Sequence, residues 1–453
     1  MEKNLLDGLI EILKTELKDR GIDEYEVYYR TQESVATETL DKQISSFSSG
    51  NSGGMCLRVI KDGKTGYAST ELLSSDEMAD LADRAIEGAL ATEKTESVGI
   101  YKGGEEYEPN RVASAYSADP AELKKMALEI AKSAYAFSDM VTKGTSSAAE
   151  SFSFNIRLVN SSGLDLSSTC GVTALMSAPV INDGAESQSA YSLGSLTVEN
   201  KDTVISELVQ KAVGEAQGKL GATSVSTGRY NLVIDSKQMR SVLAVFSSAF
   251  SAKAALDGMS KLSGHVGEKI ASDIVNITDD PQRAGSSVGI HFDAEGVPTH
   301  RKSVVKDGVL TTLLHNRQTA MKMGVETTAN AQKASYATVV GIRPYSMAIE
   351  PGDKSLEELF ELAGDGIYIT ELKGLHAGAN AVTGDFSLES AGFMIRQGKK
   401  CEPVRSFTVA GNFFDLLKNI RAVGDTLDLG VPSGLTSFGA CSVLVPDMSV
   451  AGK

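Results

Sequence analysis

From residue 230 to the C-terminus the chain is a succession of short extended runs separated by glycine turns, and no other feature restricts its fold as much. The runs fall at 230–234, 288–292, 301–306, 309–314, 367–372, 392–396, 404–409 and 442–445. Segments this short and this often interrupted cannot build a helical bundle, whereas a sandwich or barrel needs them. Asp307-Gly308 joins two runs with a pair that accepts positive φ, a hairpin signal. A few helices are expected among them, including 236–255 and 412–420. The 43 glycines and absent tryptophan of the whole chain fit sheets with many turns.

The N-terminal half mixes periods. Leu6, Leu9, Ile10, Leu13 and Leu17 share one helical face, and Gly21 stands where a left-handed cap would end that helix. Tyr25, Val27 and Tyr29 then alternate with charged residues as in a half-buried strand, and a second, polar strand is expected over about 34–48. Asp62-Gly63 marks a hairpin within MCLRVIKDGKTGYAS. Ser74-x-x-Glu77 has the form of a capping box, and Asp119-Pro120-Ala121-Glu122 opens another helix. Residues 150–200 return to period two around an Asn160–Gly163 turn, and a further helix covers about 202–218. The expected class is α+β. An N-terminal domain over 1–222, with helices on a mainly antiparallel sheet, precedes a β-rich sandwich- or barrel-like domain over 223–453. The polar LGATSVSTG segment is the linker.

Composition narrows function. With 42% hydrophobic residues the chain can bury sizeable cores, and no stretch reaches the run of about 18 apolar residues that spans a bilayer. The start lacks a signal-peptide pattern, so a cytoplasmic protein without membrane contact is expected. A net charge of −15 opposes direct nucleic-acid binding. Cys56, Cys170, Cys401 and Cys441 are widely spaced and give neither a disulfide framework nor a thiolate zinc pattern. The stretch GSSVG at 285–289 matches GxSxG, but a loop precedes it and a strand is expected after it, so it is read as a chance match. There is no phosphate-binding loop of the GxxxxGK[ST] type.

Five ordered blocks carry a family resemblance: SGHVGEKIAS at 263–272, FDAEGVPTHRKSVVKDG at 292–308, the glycine-rich 367–398, FTVAGNFFDLLKNI at 407–420 and SVLVPDM at 442–448. They resemble the TldD/PmbA family, and the last two resemble its PmbA (TldE) branch. For the TldD branch the resemblance implies a helix with His-Glu-x-x-x-His and a later Cys holding zinc, the Glu activating the bound water. At the matching window this sequence has Leu243, Ala244 and Ser248, and 231–263 contains no histidine. The five histidines, His265, His291, His300, His315 and His376, include no pair at i,i+4 or i,i+5. They are expected to be structural, with His265 and His376 the two left as contacts to substrate or a stray metal ion; Cys441 is a lone thiol.

The expected role is therefore a PmbA/TldE-like subunit with no cofactor and no metal of its own, zinc being held only by a TldD-like peptidase partner. The resemblance also implies a homodimer when alone, peptide or unfolded substrates, and the designation of gyrase modulator. Substrate contact is expected in GLHAGANAVTGDFSLESAG, at His376, Gly378, Asn380, Thr383, Gly384 and Asp385, where small residues let another backbone approach. Rival readings are a stand-alone hydrolase built on Asp385, Glu389 and His376, and a non-enzymatic peptide-binding homodimeric scaffold.

Overall fold

The computed structural model describes residues 2–93, 98–109 and 118–453. The N-terminal part is built on a six-stranded antiparallel sheet in the order Lys64–Thr70, Gln43–Lys61, Glu24–Leu40, Ser146–Asn160, Asp165–Ala178, Ser192–Leu196. Period-two alternation sends its side chains to two different destinations. Val27, Met55, Leu57 and Val59 face the helices Glu2–Asp19 and Ser75–Ala91, meeting Leu9, Leu13, Leu81 and Ala85. Tyr28, Cys56, Phe154 and Ile156 point the other way, into a core shared with Ile290, Phe292 and Tyr345 of the C-terminal half. A third cluster packs the helices Pro120–Phe137 and Val204–Gln217 on the far strands. The sheet is thus covered by helices on one side and by the second half of the chain on the other.

In the C-terminal half the strands Lys399–Asn412, Asp385–Arg396, Gly366–Lys373, Gly228–Ile234 and Val443–Ala451 pair in sequence, and the first pairs again with the last, closing a five-stranded barrel. Gly228–Ile234 and Gly366–Lys373 run parallel, and their crossover supplies Lys302–Lys306, Ile277–Asp279 and Ser346–Ile349 to a second sheet, which Ser437–Ala440 joins from later in the chain. Between the sheets lies the largest apolar cluster, with Leu243, Phe246 and Phe413 fully buried. Phe246 and Phe413 stack with ring centroids 4.6 Å apart. Val225, near the end of the expected linker, already belongs to this core.

The α+β class is as read from the sequence, and several local expectations need correction. The two strands expected before residue 48 are one long hairpin, Glu24–Leu40 with Gln43–Lys61, turning at Asp41 with φ 58°. Alternation breaks down there because residues 42–52 are exposed on both faces. Ser74 precedes a helix but makes no side-chain cap bond, whereas Asp119 forms the full capping box with Glu122. The helix expected over 236–255 is three pieces, Ser236–Phe246, a 3-10 turn Ser247–Phe250 and Ala252–Leu256. The Ser251 hydroxyl caps the last piece, so serines that look permissive in a periodic run instead end one helix and start another. Residues 288–292 form no named strand and serve as buried loop in the shared core; of 309–314 only Val309–Leu310 is strand, with Leu314 bridging to Ser251.

One contact tests this packing. A Cβ on Gly66 would lie 2.0 Å from the Ala85 carbonyl oxygen and 2.4 Å from the Ala89 nitrogen, so helix Ser75–Ala91 lies directly on this strand. Gly66→Ala should destabilise the chain by about 1–3 kcal/mol, the usual cost of overpacking, in urea unfolding; an unchanged midpoint would show that this helix does not need the close approach.

Candidate functional site

The glycine-rich segment folds as a compact loop between two barrel strands. Strand Gly366–Lys373 ends at Gly374, whose φ of 80° reverses the chain into the short turn Leu375–Gly378. Asn380 then organises the return: its Oδ1 accepts from the Val382 and Thr383 amides at 3.0 and 3.2 Å. Its own amide donates to the Asp385 carbonyl at 2.8 Å, and the Gly384 amide donates to the Asn380 carbonyl at 2.8 Å. Asp385 begins the next strand.

A residue not singled out from the sequence holds this loop to the barrel. Asn412 Nδ2 donates to the Thr383 carbonyl at 2.9 Å and to Asp385 Oδ1 at 2.8 Å. Its Oδ1 accepts from the Phe414 amide at 3.1 Å, capping helix Phe413–Asn419. The available signal was an Asn immediately before an apolar helical run, which announces an N-cap but not its second partner. The hydrogen bond from Asn412, with a further contribution from Thr383, holds the Asp385 carboxyl below its ordinary range.

Both candidate glycines have packing reasons to be glycine. A Cβ on Gly378 would lie 2.4 Å from the Ser387 carbonyl oxygen, and one on Gly384, at φ 81°, would lie 2.6 Å from the Phe414 ring. Gly378, Asn380, Thr383, Gly384 and Asp385 therefore come together in one loop, where Asn380, Thr383 and Asp385 bond to the loop itself. His376 is exposed on the short turn. Glu389, four residues along the strand from Asp385, is exposed and lies 3.5 Å from Lys373 Nζ. Beside Asn412 opens a cleft of about 320 Å³ lined by Lys261, Leu262, His265, Phe414 and Lys418. In it His265 Nδ1 sits 2.6 Å from Glu268 Oε2.

The window corresponding to a metal-binding helix lies elsewhere in the barrel domain. Leu243 is 0% exposed in the apolar core, Ala244 is half-buried, and Ser248 is exposed on the following 3-10 turn. Arg240, one turn earlier, is ion-paired with Asp428. Cys441 is fully buried with its Sγ 3.8 Å from the Ile349 carbonyl, and burial pushes its thiol up to about 12. As ligands these groups do not suit a zinc ion: Leu243 and Ala244 are hydrocarbon, Ser248 offers only a neutral hydroxyl, and Cys441 is a lone buried thiol. Buried His315 bonds Thr319 Oγ1 at 3.2 Å, and His291 packs edge-on against Phe292. Burial lowers the pKa of both. Among the described residues no three His, Cys, Asp or Glu side chains gather to hold a metal ion. No described helix is long and apolar enough to cross a membrane.

Comparison with known proteins places these observations in a family. Residues 227–452 match the PmbA/TldA metallopeptidase C-terminal domain, and 25–89 match PmbA/TldA metallopeptidase domain 1. A metalloprotease of Methanothermobacter thermautotrophicus is 30% identical over 403 residues, covering 86% of each chain. A crystal structure of a candidate modulator of a DNA gyrase from Thermotoga maritima superposes with TM-score 0.88 at 28% identity, covering 98% of this chain and 100% of the other. TldE from Thermococcus kodakarensis, at 22% identity, shares the fold with TM-score 0.85 over 99% and 100% of the two chains.

The Asn412 clamp makes a pH-dependent prediction. A carboxyl held low in the folded state adds stability that is present above its unfolded pKa and is lost as pH falls through the folded value. Asn412→Ala removes the cap, costing about 1 kcal/mol at any pH, and also the bond to Asp385. Its melting-temperature deficit should be greatest near neutrality and shrink below pH about 4. A deficit that stays constant from pH 7 to 3 would mean that Asp385 gains nothing from Asn412.

Proposed function

The chain belongs to the PmbA/TldD metallopeptidase family, and from that premise we propose that it is a PmbA/TldE-like subunit without a zinc site of its own, acting beside a TldD-like zinc peptidase. One observation carries the reading. Where a zinc-bearing relative would need ligands and a base, this chain has Leu243 sealed in hydrocarbon, Ala244, and exposed Ser248. Slippage of the match does not help, because the helix Ser236–Phe246 and the turn after it contain no histidine. The chain contributes surface rather than chemistry: its barrel loops help to enclose peptide or unfolded substrates, and in the partner's absence it pairs with itself. A cytoplasmic location accords with this role.

Within that role the substrate-facing surface is the outer side of the loop with His376 and the neighbouring cleft at Asn412. Gly378 and Gly384 shape the loop from within. The stand-alone hydrolase is the weaker reading, because Asp385 is fully exposed and held ionised by its clamp, and Glu389 faces Lys373. A general acid or base needs the opposite, a carboxyl with its pKa brought toward neutrality by burial. Asp385→Asn should accordingly leave most of the activity of a two-chain complex.

Metal analysis of the chain purified without added metal, together with peptide cleavage alone and with a TldD-like chain from the same source, tests the proposal. The expected result is far less than one zinc per chain, no cleavage alone, and cleavage in the mixture. Near-stoichiometric zinc whose removal by chelator abolishes activity of the isolated chain would sink it.

A further inference from the structure

A second cleft, of about 780 Å³, opens between the two halves of the molecule, away from the glycine-rich loop's Asn412 side. Helix Val204–Gln217 and the segment through Tyr191 form one wall, and barrel strands with the start of helix Ser236–Phe246 form the other. Its lining side chains include more cations than anions. Five lysines line it, Lys211, Lys219, Lys237, Lys373 and Lys400. Only three carboxylates accompany them, Glu215, Asp235 and Glu371, in a chain whose net charge is −15.

The carboxylates are largely engaged, and so are four of the lysines. Lys211 lies 3.8 Å from Asp428 and Lys373 3.5 Å from Glu389, both outside the lining, while Lys219 and Lys237 donate to the Ser189 and Tyr191 carbonyls at 2.9 and 2.7 Å, which leaves Lys400 as the cation to be matched. Asp235 Oδ1 accepts from the Lys237 amide at 3.0 Å, and its Oδ2 accepts from the Tyr368 hydroxyl at 2.5 Å. Glu371 lies 3.1 Å from Lys219 and 3.8 Å from Lys373. Glu215 is 3.8 Å from Lys237. Lys400 has no ion-pair partner within 4 Å among the described residues; its ammonium sits over the Phe393 ring at 3.8 Å. Across the cleft Lys237 sits over the Tyr191 ring at 4.0 Å. Two lysines, each drawn over an aromatic face and each from the barrel half, thus present cations to a space whose opposite wall supplies Lys211 and Lys219.

We infer that this cleft is a binding site for carboxylate-bearing ligands, specifically a short acidic peptide lying between the two halves of the chain. Lysines spaced along a trough match carboxylates spaced along a chain. A single phosphate is better held by convergent backbone amides or an arginine fork, and no arginine lines the cleft. The rings of Tyr191, Tyr368 and Phe393 supply apolar surface for the stretches between charges. Partial burial lowers the pKa of Lys237 and Lys400, so an anion that replaces lost hydration would be welcomed by both. The site is independent of the proposed partnership, because its occupancy is read on the isolated chain without any cleavage.

The probe is fluorescein-labelled tetraglutamyl amide, measured by anisotropy on the full chain. Its comparators are the tetraglutaminyl amide and the tetraglutaminyl peptide with a free C-terminal carboxylate. Tetraglutamyl amide should bind at least about tenfold more tightly than tetraglutaminyl amide, a difference of about 1.4 kcal/mol. If the free-acid glutaminyl peptide matches the glutamyl probe, the carboxylate recognised is a peptide's C-terminus; if it binds like the amide, it is the acidic side chain. Lys400→Glu should weaken binding about tenfold or more, and so should Lys400→Met, which keeps the stem on Phe393. Melting temperature reports whether each variant is folded. Lys132→Glu, exposed and outside the cleft, should change little. Equal binding of the glutamyl and glutaminyl amides overturns the inference. So does an equal loss in the Lys132 and Lys400 variants, or tighter binding of a single-stranded oligonucleotide of matching charge, which would indicate a general polyanion surface.

Discussion

The closure of the five-stranded barrel is the constraint on which the rest depends. Val443–Ala451, at the end of the chain, pairs with Gly228–Ile234 at the start of the domain and with Thr408–Ala410 in Lys399–Asn412. The last strand covers the edge of Lys399–Asn412 at Thr408–Ala410, while Asn412 itself pairs with Asp385 in the neighbouring strand, the position from which it holds the loop at Thr383 and Asp385. Closure also seals the apolar interior in which Leu243, Phe246 and Phe413 meet. A barrel removes its edges only when every strand is present.

A second layer of order comes from charge buried within the C-terminal half and at its contact with the N-terminal sheet. Lys302 Nζ donates to the Thr328 carbonyl at 2.7 Å and Asn330 Oδ1 at 3.1 Å, beside Asp279 at 3.5 Å. Asp279 also accepts from the Tyr345 and Ser346 amides, each at 2.8 Å. Arg30 reaches across the sheet to the Lys333 carbonyl at 3.0 Å while resting over Phe154. Such groups cost several kcal/mol to desolvate and recover it only in one geometry; removing one partner typically costs about 3–5 kcal/mol. Arg30 ties the N-terminal sheet to the loop at Lys333, while Lys302 and Asp279 order the C-terminal half within itself.

Much of the fold was legible because the chain announces it locally. The face of the first helix, the Asp62-Gly63 and Asp307-Gly308 turns and the Asp119 capping box all need only neighbours within a few residues. The misread places are those where a distant partner decides. Residues 288–292 look like a strand because they are apolar, yet they are apolar because they fill the core beneath Tyr28 and Phe154. The helix broken at Ser247 keeps its periodicity in sequence while Ser251 starts a new one. In the glycine-rich loop the residue types were readable and their duties were not: Asn380 and Thr383 bond the loop's own backbone, Asp385 bonds Asn412, and Gly384 is glycine because Phe414 lies against it.

The sequence by itself determined the α+β class, the family resemblance, and the absence of His-Glu-x-x-x-His from 231–263, since each follows from residue type and order along the chain. Tertiary structure decided that Leu243 is sealed in hydrocarbon, that Asn412 clamps the loop, and that five lysines scattered from 211 to 400 share one cleft with three carboxylates. The physical reason is range. Helix periods, turns and caps are set by interactions over a few residues, whereas burial, ion pairing and cleft charge depend on which segments barrel closure and the buried charges bring side by side.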